Sequence, residues 1–286
     1  MGNSKSPLVF LMSVAVLLLS LARVGRWISS HISLQSSVEA KSALITERYS
    51  CRQDYTVEII SFDPWVIYIN NFIKEEEINH LLELTKDAWN SSEVFYKPQD
   101  HEDATFGVDK NTRNSSSAFV PHEDLVARCL LKRTKQLLGN AQHENVETPQ
   151  LVRYTGGERF RPHMDTIEPT KATNFHPDYT ERPWNRLLSA FVYLNDNCTG
   201  GETYFPRLTG VGADADGSKF SRAANRQGLL VKPKRGNAIV WKNLFNNGSV
   251  DERLVHASLA IRSGEKVGMN LFTWHYFDSP MVGDAS

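Results

Sequence analysis

The residues with the clearest chemical potential are His163 and Asp165, which stand one residue apart at the end of the segment Tyr154–Asp165. If this segment is a β-strand, the alternation of side chains turns the imidazole and the carboxylate to the same face. Such a pair suits a divalent metal ion. By itself a His-x-Asp pair is weak evidence, because most such pairs lie on the surface or serve the structure.

A third candidate ligand lies far along the chain. His256 adds a second imidazole, and Lys266 follows it ten residues later. Two histidines and one carboxylate on one face leave coordination positions open, which is the facial-triad arrangement of non-haem Fe(II) sites. The sequence therefore predicts a metal centre built from His163, Asp165 and His256.

Composition limits the classes of protein to consider. The chain has 286 residues, of which 41% are hydrophobic and 23% are charged, and this suits one large domain or two smaller ones. The formal net charge of −1 gives no indication of nucleic acid or acidic lipid as a partner. We find no nucleic-acid-binding motif and expect no such partner.

The amino-terminal segment differs from the rest. An apolar run from Pro7 to Ala22 is followed by Arg23 and Arg26, and its length lies between that of a signal-peptide core and that of a full membrane span. Residues 1–28 are interpreted as a signal anchor or a cleaved signal peptide, and a buried helix of a soluble protein is a third alternative. Residues 29–55 are polar and read as a stalk. Either leading alternative places the domain, residues 56–280, in the lumen of the endoplasmic reticulum or secretory pathway, and the anchor would make the protein single-pass.

Two further features bear on whether the chain enters the secretory pathway. The Asn-x-Ser/Thr sequons are Asn90, Asn114, Asn197 and Asn247, and each is a candidate glycosylation site, although a chain of this length carries one or two by chance. The three cysteines are Cys51, Cys129 and Cys198. They permit one disulfide, leave one thiol over, and do not tell which two residues pair.

Apolar patterning predicts the elements that position the candidate ligands. Helices are predicted from Ile73 to Thr85, with Ile78, Leu81, Leu82 and Leu84 on the buried face, and from His122 to Leu138. Strands are predicted at 57–61, 65–69, 150–154, 187–194, 228–232, 238–241 and 266–274. The rhythm of short runs after Pro149 favours a β-sandwich or jelly roll. Two loops, 166–184 and 207–226, are either substrate lids or surface insertions.

Several short motifs follow one another in a recognisable order. They are Tyr154–Asp165, Phe191–Asp196, Gly200–Pro206, Pro233–Ala238 and His256–Lys266. Together, from about Val66 to Phe272, they resemble the prolyl 4-hydroxylase family of Fe(II)/2-oxoglutarate dioxygenases. The resemblance implies a mostly β fold with flanking helices and a double-stranded β-helix (jelly-roll) core. The implied cofactors are Fe(II), 2-oxoglutarate and O₂, with ascorbate as a further expectation.

The resemblance also assigns roles to residues. His163, Asp165 and His256 fall on the family's iron ligands, and Lys266 falls on the lysine that pairs with the distal carboxylate of 2-oxoglutarate. An unpaired carboxylate in an apolar barrel would be costly, so a positioned ammonium is needed there. Tyr154 and Thr203 correspond to residues that line the cosubstrate pocket, although either could be purely structural.

Arg113 lies in a stretch that resembles a family loop near the peptide-binding face. It is a candidate substrate contact, and the alternative is a turn that carries a glycan at Asn114. Phe160, Val267 and Phe272 depart from the family pattern, which has Tyr or Trp at these places. None of them is a candidate metal ligand, so the departures concern the shape of the pocket.

The resemblance implies an enzyme that hydroxylates peptidyl proline at C4 with release of succinate and CO₂, similar to a procollagen-proline 4-dioxygenase. The expected partner is a proline-containing peptide or protein. One alternative is an oxygenase that acts on another amino acid or a small molecule. Another is a non-catalytic lumenal jelly-roll binding module, but such a relative would be expected to lose a ligand or the lysine. The sequence leaves the oligomeric state open.

Overall fold

The computed structural model describes residues 49–96, 105–137, 145–167, 182–223 and 227–279. All the strands and helices named below lie in one compact unit, Arg52–Ser286. The predicted anchor, residues 1–28, and most of the predicted stalk lie outside the described residues. Within the described part of the chain, no helix is long and apolar enough to cross a membrane.

The elements of the amino-terminal half are β1 (Thr56–Phe62), β2 (Trp65–Asn70), α1 (Glu75–Leu84), β3 (Asn90–Ser91), β4 (Val94–Tyr96), β5 (Thr105–Gly107), β6 (Arg113–Asn114), β7 (Ser116–Phe119), α2 (Leu125–Gln136) and β8 (Asn145–Val146). Those of the carboxyl-terminal half are β9 (Gln150–Tyr154), β10 (Arg159–His163), β11 (Trp184–Asn195), β12 (Cys198–Gly200), β13 (Thr203–Phe205), β14 (Phe220–Arg222), β15 (Leu229–Val231), β16 (Ala238–Lys242), a short 3-10 helix (Glu252–Leu254), β17 (His256–Ser258), β18 (Ile261–Gly264) and β19 (Lys266–Tyr276).

Two antiparallel sheets form the core of the jelly roll. The larger has the order β1-β2-β16-β11-β19-β9-β7-β3, with β8 paired to β19, and the smaller has the order β14-β15-β13-β17-β10-β6. Apolar side chains from both sheets meet in one core cluster, among them Tyr68 and Tyr193 of the larger sheet and Phe205 and Val231 of the smaller. The predicted fold class is confirmed. Strand β11 is buried over nearly its whole length, which explains the uninterrupted apolar run from Ala190 to Leu194.

The two helices pack against each other, and α2 also contacts β19. Helix α2 begins at Leu125, not at the predicted His122, because Asp124 caps it by accepting hydrogen bonds from the backbone amides of Val126 and Ala127, both at 2.9 Å. The predicted buried face of α1 is right for Ile78 and Leu81 but wrong for Leu84, which is 44% exposed.

A charged residue is buried in α1 instead. The carboxylate of Glu77 forms a two-point ion pair with the Arg133 guanidinium of α2, at 2.9 and 3.1 Å. Apolar periodicity does not reveal such a residue, because its burial depends on a partner on another element.

One of the two long loops is described nearly in full. In the segment 207–223, Leu208 and Phe220 join the core cluster, and Lys219 forms an ion pair with Glu58 of β1. The segment ends in β14, the edge strand of the smaller sheet, and the Lys219–Glu58 ion pair connects it to the edge of the larger sheet. It is therefore an insertion that packs on the core, and Arg207 is its member that lines the main cavity. Of the other loop, 168–181 lie outside the described residues.

Candidate active site

The smaller sheet brings the candidate metal ligands together. His163 ends β10 and His256 begins β17, and the two residues are direct partners in the antiparallel register. Asp165 lies two residues beyond the end of β10, so the expectation that one strand carries both His163 and Asp165 is wrong. The Nε2 atoms of His163 and His256 each lie 3.7 Å from a carboxylate oxygen of Asp165. One ligand atom from each residue falls within 4.8 Å of the others.

Backbone contacts orient both imidazoles. The Nδ1 atom of His163 lies 2.8 Å from the Arg161 carbonyl oxygen, and Nδ1 of His256 lies 3.0 Å from that of Leu254. A carbonyl only accepts, so each Nδ1 carries the proton and each Nε2 presents its lone pair toward the centre, ready to ligate a metal. Burial and the neighbouring His256 lower the pKa of His163 to about 3, so this imidazole is neutral near pH 7.

Asp165 is buried and held at two points. Ser189 Oγ donates to its Oδ2 at 2.6 Å, and Arg186 Nη1 donates to its main-chain oxygen at 3.2 Å. Burial opposes ionisation, but the two histidines, Arg186 and the Ser189 hydroxyl together hold the pKa of Asp165 below its usual value. The site therefore presents two imidazoles and one carboxylate, a donor set that fits Fe(II).

The ligand cluster opens into a cavity of about 1230 Å³. Lys266 lines this cavity although its relative exposure is 0%. Its Nζ donates to the carbonyl oxygen of Gly201 at 2.7 Å and to Ser258 Oγ at 2.9 Å. The rings of Tyr154 and Phe191 lie 5.1 and 5.0 Å from the same nitrogen.

No described carboxylate forms an ion pair with Lys266, and burial lowers its pKa to about 7. A buried ammonium without a counter-ion is unfavourable unless a ligand supplies the negative charge. Gly201 allows its backbone to pack closely against Ile261 and the stem of Lys266. A Cβ at this position, with φ of +73°, would lie 2.4 Å from Ile261 Cδ1 and 3.3 Å from Lys266 Cδ. The geometry fits an anionic cosubstrate that reaches from the metal ligands to Lys266.

Tyr154 and Thr203 also line the cavity and are buried. The Thr203 hydroxyl is hydrogen-bonded to the Tyr193 hydroxyl at 2.8 Å. Tyr154 lies opposite Lys266 in the register of β9 and β19. Burial raises the pKa of Tyr154, which therefore stays protonated at neutral pH and keeps a hydroxyl proton to donate.

Arg113 is buried in strand β6, although the sequence indicates a loop. Its guanidinium donates to the Glu93 carbonyl oxygen at 3.1 Å and to Gln150 Oε1 at 3.3 Å. It also lies over the Phe160 ring at 4.9 Å, and that ring stacks on His163 at 3.5 Å. The aromatic ring therefore separates the arginine from the metal ligands. The neighbouring sequon residue Asn114 is half-buried and pairs with Arg159 of β10.

Sequence patterning did not single out a second charged wall of the cavity. Arg186 and Glu147 form a two-point ion pair at 2.6 and 2.7 Å, and the Trp274 indole donates to Glu147 at 2.9 Å. The Arg186 guanidinium lies 3.9 Å from the centre of the Phe272 ring. The available signal was a charged residue next to a long apolar run, which is rare unless a partner balances it.

Comparison with known proteins agrees with this geometry. A model of the 2OG-Fe(II) oxygenase superfamily matches residues 149–274. Probable prolyl 4-hydroxylase 6 of Arabidopsis thaliana is 30% identical over 209 residues, which span 72% of this chain and 68% of the relative. Prolyl 4-hydroxylase 1 of the same plant is 29% identical over 212 residues, or 73% of this chain and 68% of the relative.

Among solved structures, a 2OG complex of the viral collagen prolyl hydroxylase from Paramecium Bursaria Chlorella virus-1 has a TM-score of 0.46 and 22% identity. It covers 73% of this chain and 95% of that chain. The two plant relatives and the superfamily match lead to one conclusion: the chain belongs to the prolyl 4-hydroxylase family of the 2OG-Fe(II) oxygenase superfamily. It is a 2-oxoglutarate-dependent dioxygenase that uses Fe(II), 2-oxoglutarate and O₂.

Proposed function

We propose that the chain hydroxylates proline residues of peptides or proteins at C4. The observation that carries the proposal is one cavity in which His163, Asp165 and His256 face each other and Lys266 lies buried without a counter-ion. His163, Asp165 and His256 would hold Fe(II), and Lys266 would pair with the distal carboxylate of 2-oxoglutarate. The plant relatives, which are named as prolyl 4-hydroxylases, favour proline as the target.

Bound iron supplies O₂ activation, through which 2-oxoglutarate becomes succinate and CO₂ and one oxygen atom enters the substrate C–H bond. The protein's own residues bind and orient. Tyr154 and Thr203 line the cavity that also contains Lys266, and we assign to them contacts with the anionic cosubstrate. Phe160, Met164 and Trp241 cover the ligand cluster with apolar surface that limits the access of water.

Features of the wider cavity support a peptide substrate over a small molecule. Its lining includes exposed aromatic side chains, Phe106 at 44% and Phe119 at 59% exposure, and the Phe106 ring lies 5.2 Å from that of half-buried Phe95. Aromatic-lined grooves suit proline-rich segments in extended conformation. Buried Arg113 also lines this cavity and is the proposed substrate-binding residue.

The test uses full-length protein under anaerobic conditions. Addition of Fe(II) and 2-oxoglutarate is expected to produce the visible charge-transfer band of a chelated 2-oxo acid, and Lys266→Ala is expected to require far more 2-oxoglutarate. Proline-rich peptides are then supplied with O₂, and hydroxyproline is identified by mass spectrometry. A band without peptide hydroxylation would favour another amino acid or a small molecule as substrate. No band in folded, iron-loaded protein would contradict the cosubstrate site.

We also propose that the domain works in the secretory lumen, with ascorbate as a reductant and residues 1–28 as its membrane anchor. Supporting this, Cys51 and Cys129 are disulfide-bonded whereas Cys198 is a free thiol, and disulfides persist in oxidising compartments. The exposed sequon residues Asn90, Asn197 and Asn247 are accessible to glycosylation, and half-buried Asn114 is less so. Loss of mass on endoglycosidase treatment would support lumenal residence, and release of the full-length chain by carbonate extraction would contradict the anchor.

A further inference from the structure

Two polar side chains lie in the core behind the ligand cluster. Ser189 is in the middle of β11, and Asn243 directly follows β16; both have a relative exposure of 0%. Asn243 Nδ2 lies 2.9 Å from Ser189 Oγ, and Ser189 Oγ lies 2.6 Å from Asp165 Oδ2. These hydrogen bonds form a chain from β16, through β11, to the candidate metal ligand.

The chemistry of the groups fixes the direction of this chain. An ionised carboxylate only accepts, so Ser189 must donate its single proton to Asp165. The Ser189 oxygen is then left to accept, and Asn243 must present its amide nitrogen. Asn243 Oδ1 consequently has no hydrogen-bond partner among the described residues.

A buried oxygen without a partner is unfavourable, and an apolar residue of similar size would avoid it. The chain carries asparagine there nonetheless. In return, the Asn243 amide nitrogen donates to the Ser189 oxygen and so holds the hydroxyl in the orientation in which it donates to Asp165.

The backbone holds the origin of the chain in place. The backbone N–H of Asn243 donates to the Leu187 carbonyl oxygen of β11 at 2.8 Å. The backbone carbonyl oxygen of Asn243 accepts from the backbone N–H of Asp251 at 2.9 Å. Asp251 precedes the 3-10 helix that leads to His256. Asn243 is therefore connected to His256 through this short segment and to Asp165 through Ser189.

We propose that Ser189 and Asn243 are positioning residues that fix the rotation of the Asp165 carboxylate for metal binding. The inference rests on the proposed function. Ser189 occupies one lone pair of Oδ2, while Oδ1 faces His163 Nε2 at 3.7 Å and makes no hydrogen bond to any described residue. The carboxylate is thus held in one orientation before the metal binds, and metal binding does not have to restrict its rotation.

The experiment measures metal affinity, with Mn(II) as the probe, by equilibrium dialysis of the full-length protein. Ser189→Ala is expected to weaken Mn(II) binding about 10- to 100-fold, the usual range for loss of an outer-shell partner. Ser189→Thr retains the hydroxyl and should restore binding. Asn243→Leu should weaken binding less than Ser189→Ala, and the double variant should match Ser189→Ala because both changes break the same chain.

The matched control is Thr273→Val. Thr273 is another fully buried hydroxyl, in β19, but its Oγ1 has no hydrogen-bond partner among the described residues and so does not bond to Asp165. Its loss should leave Mn(II) affinity unchanged. Urea unfolding of each metal-free variant separates a change in ligand orientation from a change in folding.

Three results would overturn the inference. Wild-type affinity in Ser189→Ala would remove the role of the serine while leaving the proposed function intact. Additive effects of Ser189→Ala and Asn243→Leu would show that the two residues do not form one chain. A wild-type protein that binds no metal would overturn the proposed ligand set, and the positioning role with it.

Discussion

Between helices α1 and α2, Glu77 and Arg133 are both buried and neutralise each other, whereas in the main cavity Lys266 and Arg113 are buried and form no ion pair with a described carboxylate. The helix pair is complete in itself and connects two elements. Among the described residues, Lys266 and Arg113 donate hydrogen bonds only to neutral oxygens, so the positive charge of each is available to a ligand. Buried charge is structural where it is balanced within the protein and functional where it is not.

The largest effect that would sharpen this comparison concerns Asp165, the anionic residue among the candidate metal ligands. Asp165→Ala is expected to abolish turnover, since the remaining imidazoles are a neutral donor set that holds Fe(II) far less tightly. Succinate release and Fe(II) affinity measure the effect. Asp216→Ala, which removes an exposed carboxylate, is the control, and full turnover by iron-loaded Asp165→Ala would refute the ligand assignment.

At the helix pair, Arg133→Met should lower the free energy of unfolding by about 3–5 kcal/mol, because it leaves the Glu77 carboxylate buried without its guanidinium counter-ion. Urea denaturation measures this change, and the affinity for 2-oxoglutarate should stay as it is. The double variant Glu77→Leu, Arg133→Met should recover most of the stability. If the single variant were as stable as wild type but bound 2-oxoglutarate weakly, the structural reading of the pair would be wrong.

Lys266→Met should show the reverse pattern. Loss of a charge-assisted contact of ~1.5–3 kcal/mol corresponds to a 2-oxoglutarate Kd raised about 10- to 150-fold. Stability should not fall, because the change removes an uncompensated buried charge. Titration of the charge-transfer band gives the Kd. A large loss of stability with unchanged Kd would make Lys266 a structural residue.

The smallest effect depends on pH. Burial lowers the pKa of Lys266 to about 7, so in the ligand-free protein its ammonium loses its proton as the pH rises through that value. If the charged form binds 2-oxoglutarate, affinity should be full below this pKa and decline above it, approaching about tenfold per pH unit. Nearby Glu202 and Cys198 favour the protonated lysine. Calorimetry at pH 6.5, 7.5 and 8.5 tests the trend, and Lys266→Met should flatten it.

Much of the fold follows from local patterning. Strand β9 was predicted with its observed bounds, and β16 and β19 to within two residues, because short apolar runs bounded by Gly and Pro define them. The three-residue strand β15 was predicted at 228–232, but other strands of two or three residues, such as β6 and β17, were not predicted. Their pairing depends on neighbours that are distant in sequence, and a run so short carries no period.

The site divides in the same way. The motifs brought out His163, Asp165, His256 and Lys266, and the structure places all four in one cavity. Ser189 and Asn243 were not predicted as site residues, because their role depends on hydrogen bonds to residues that are distant in sequence. Leu84 was misjudged for a related reason: a helix face is buried only where another element covers it.

The register pair His163–His256 gives the metal a second consequence. Strands β10 and β17 are matched at only two positions, with an irregularity between them, so little backbone pairing holds them together. A metal ion bound by both histidines, and by Asp165 just beyond β10, would stabilise the pairing of these two strands, because it binds only the state in which they are paired. Loss of the metal would then destabilise the smaller sheet before the larger one. The metal would thus have a structural role in addition to its role in the reaction.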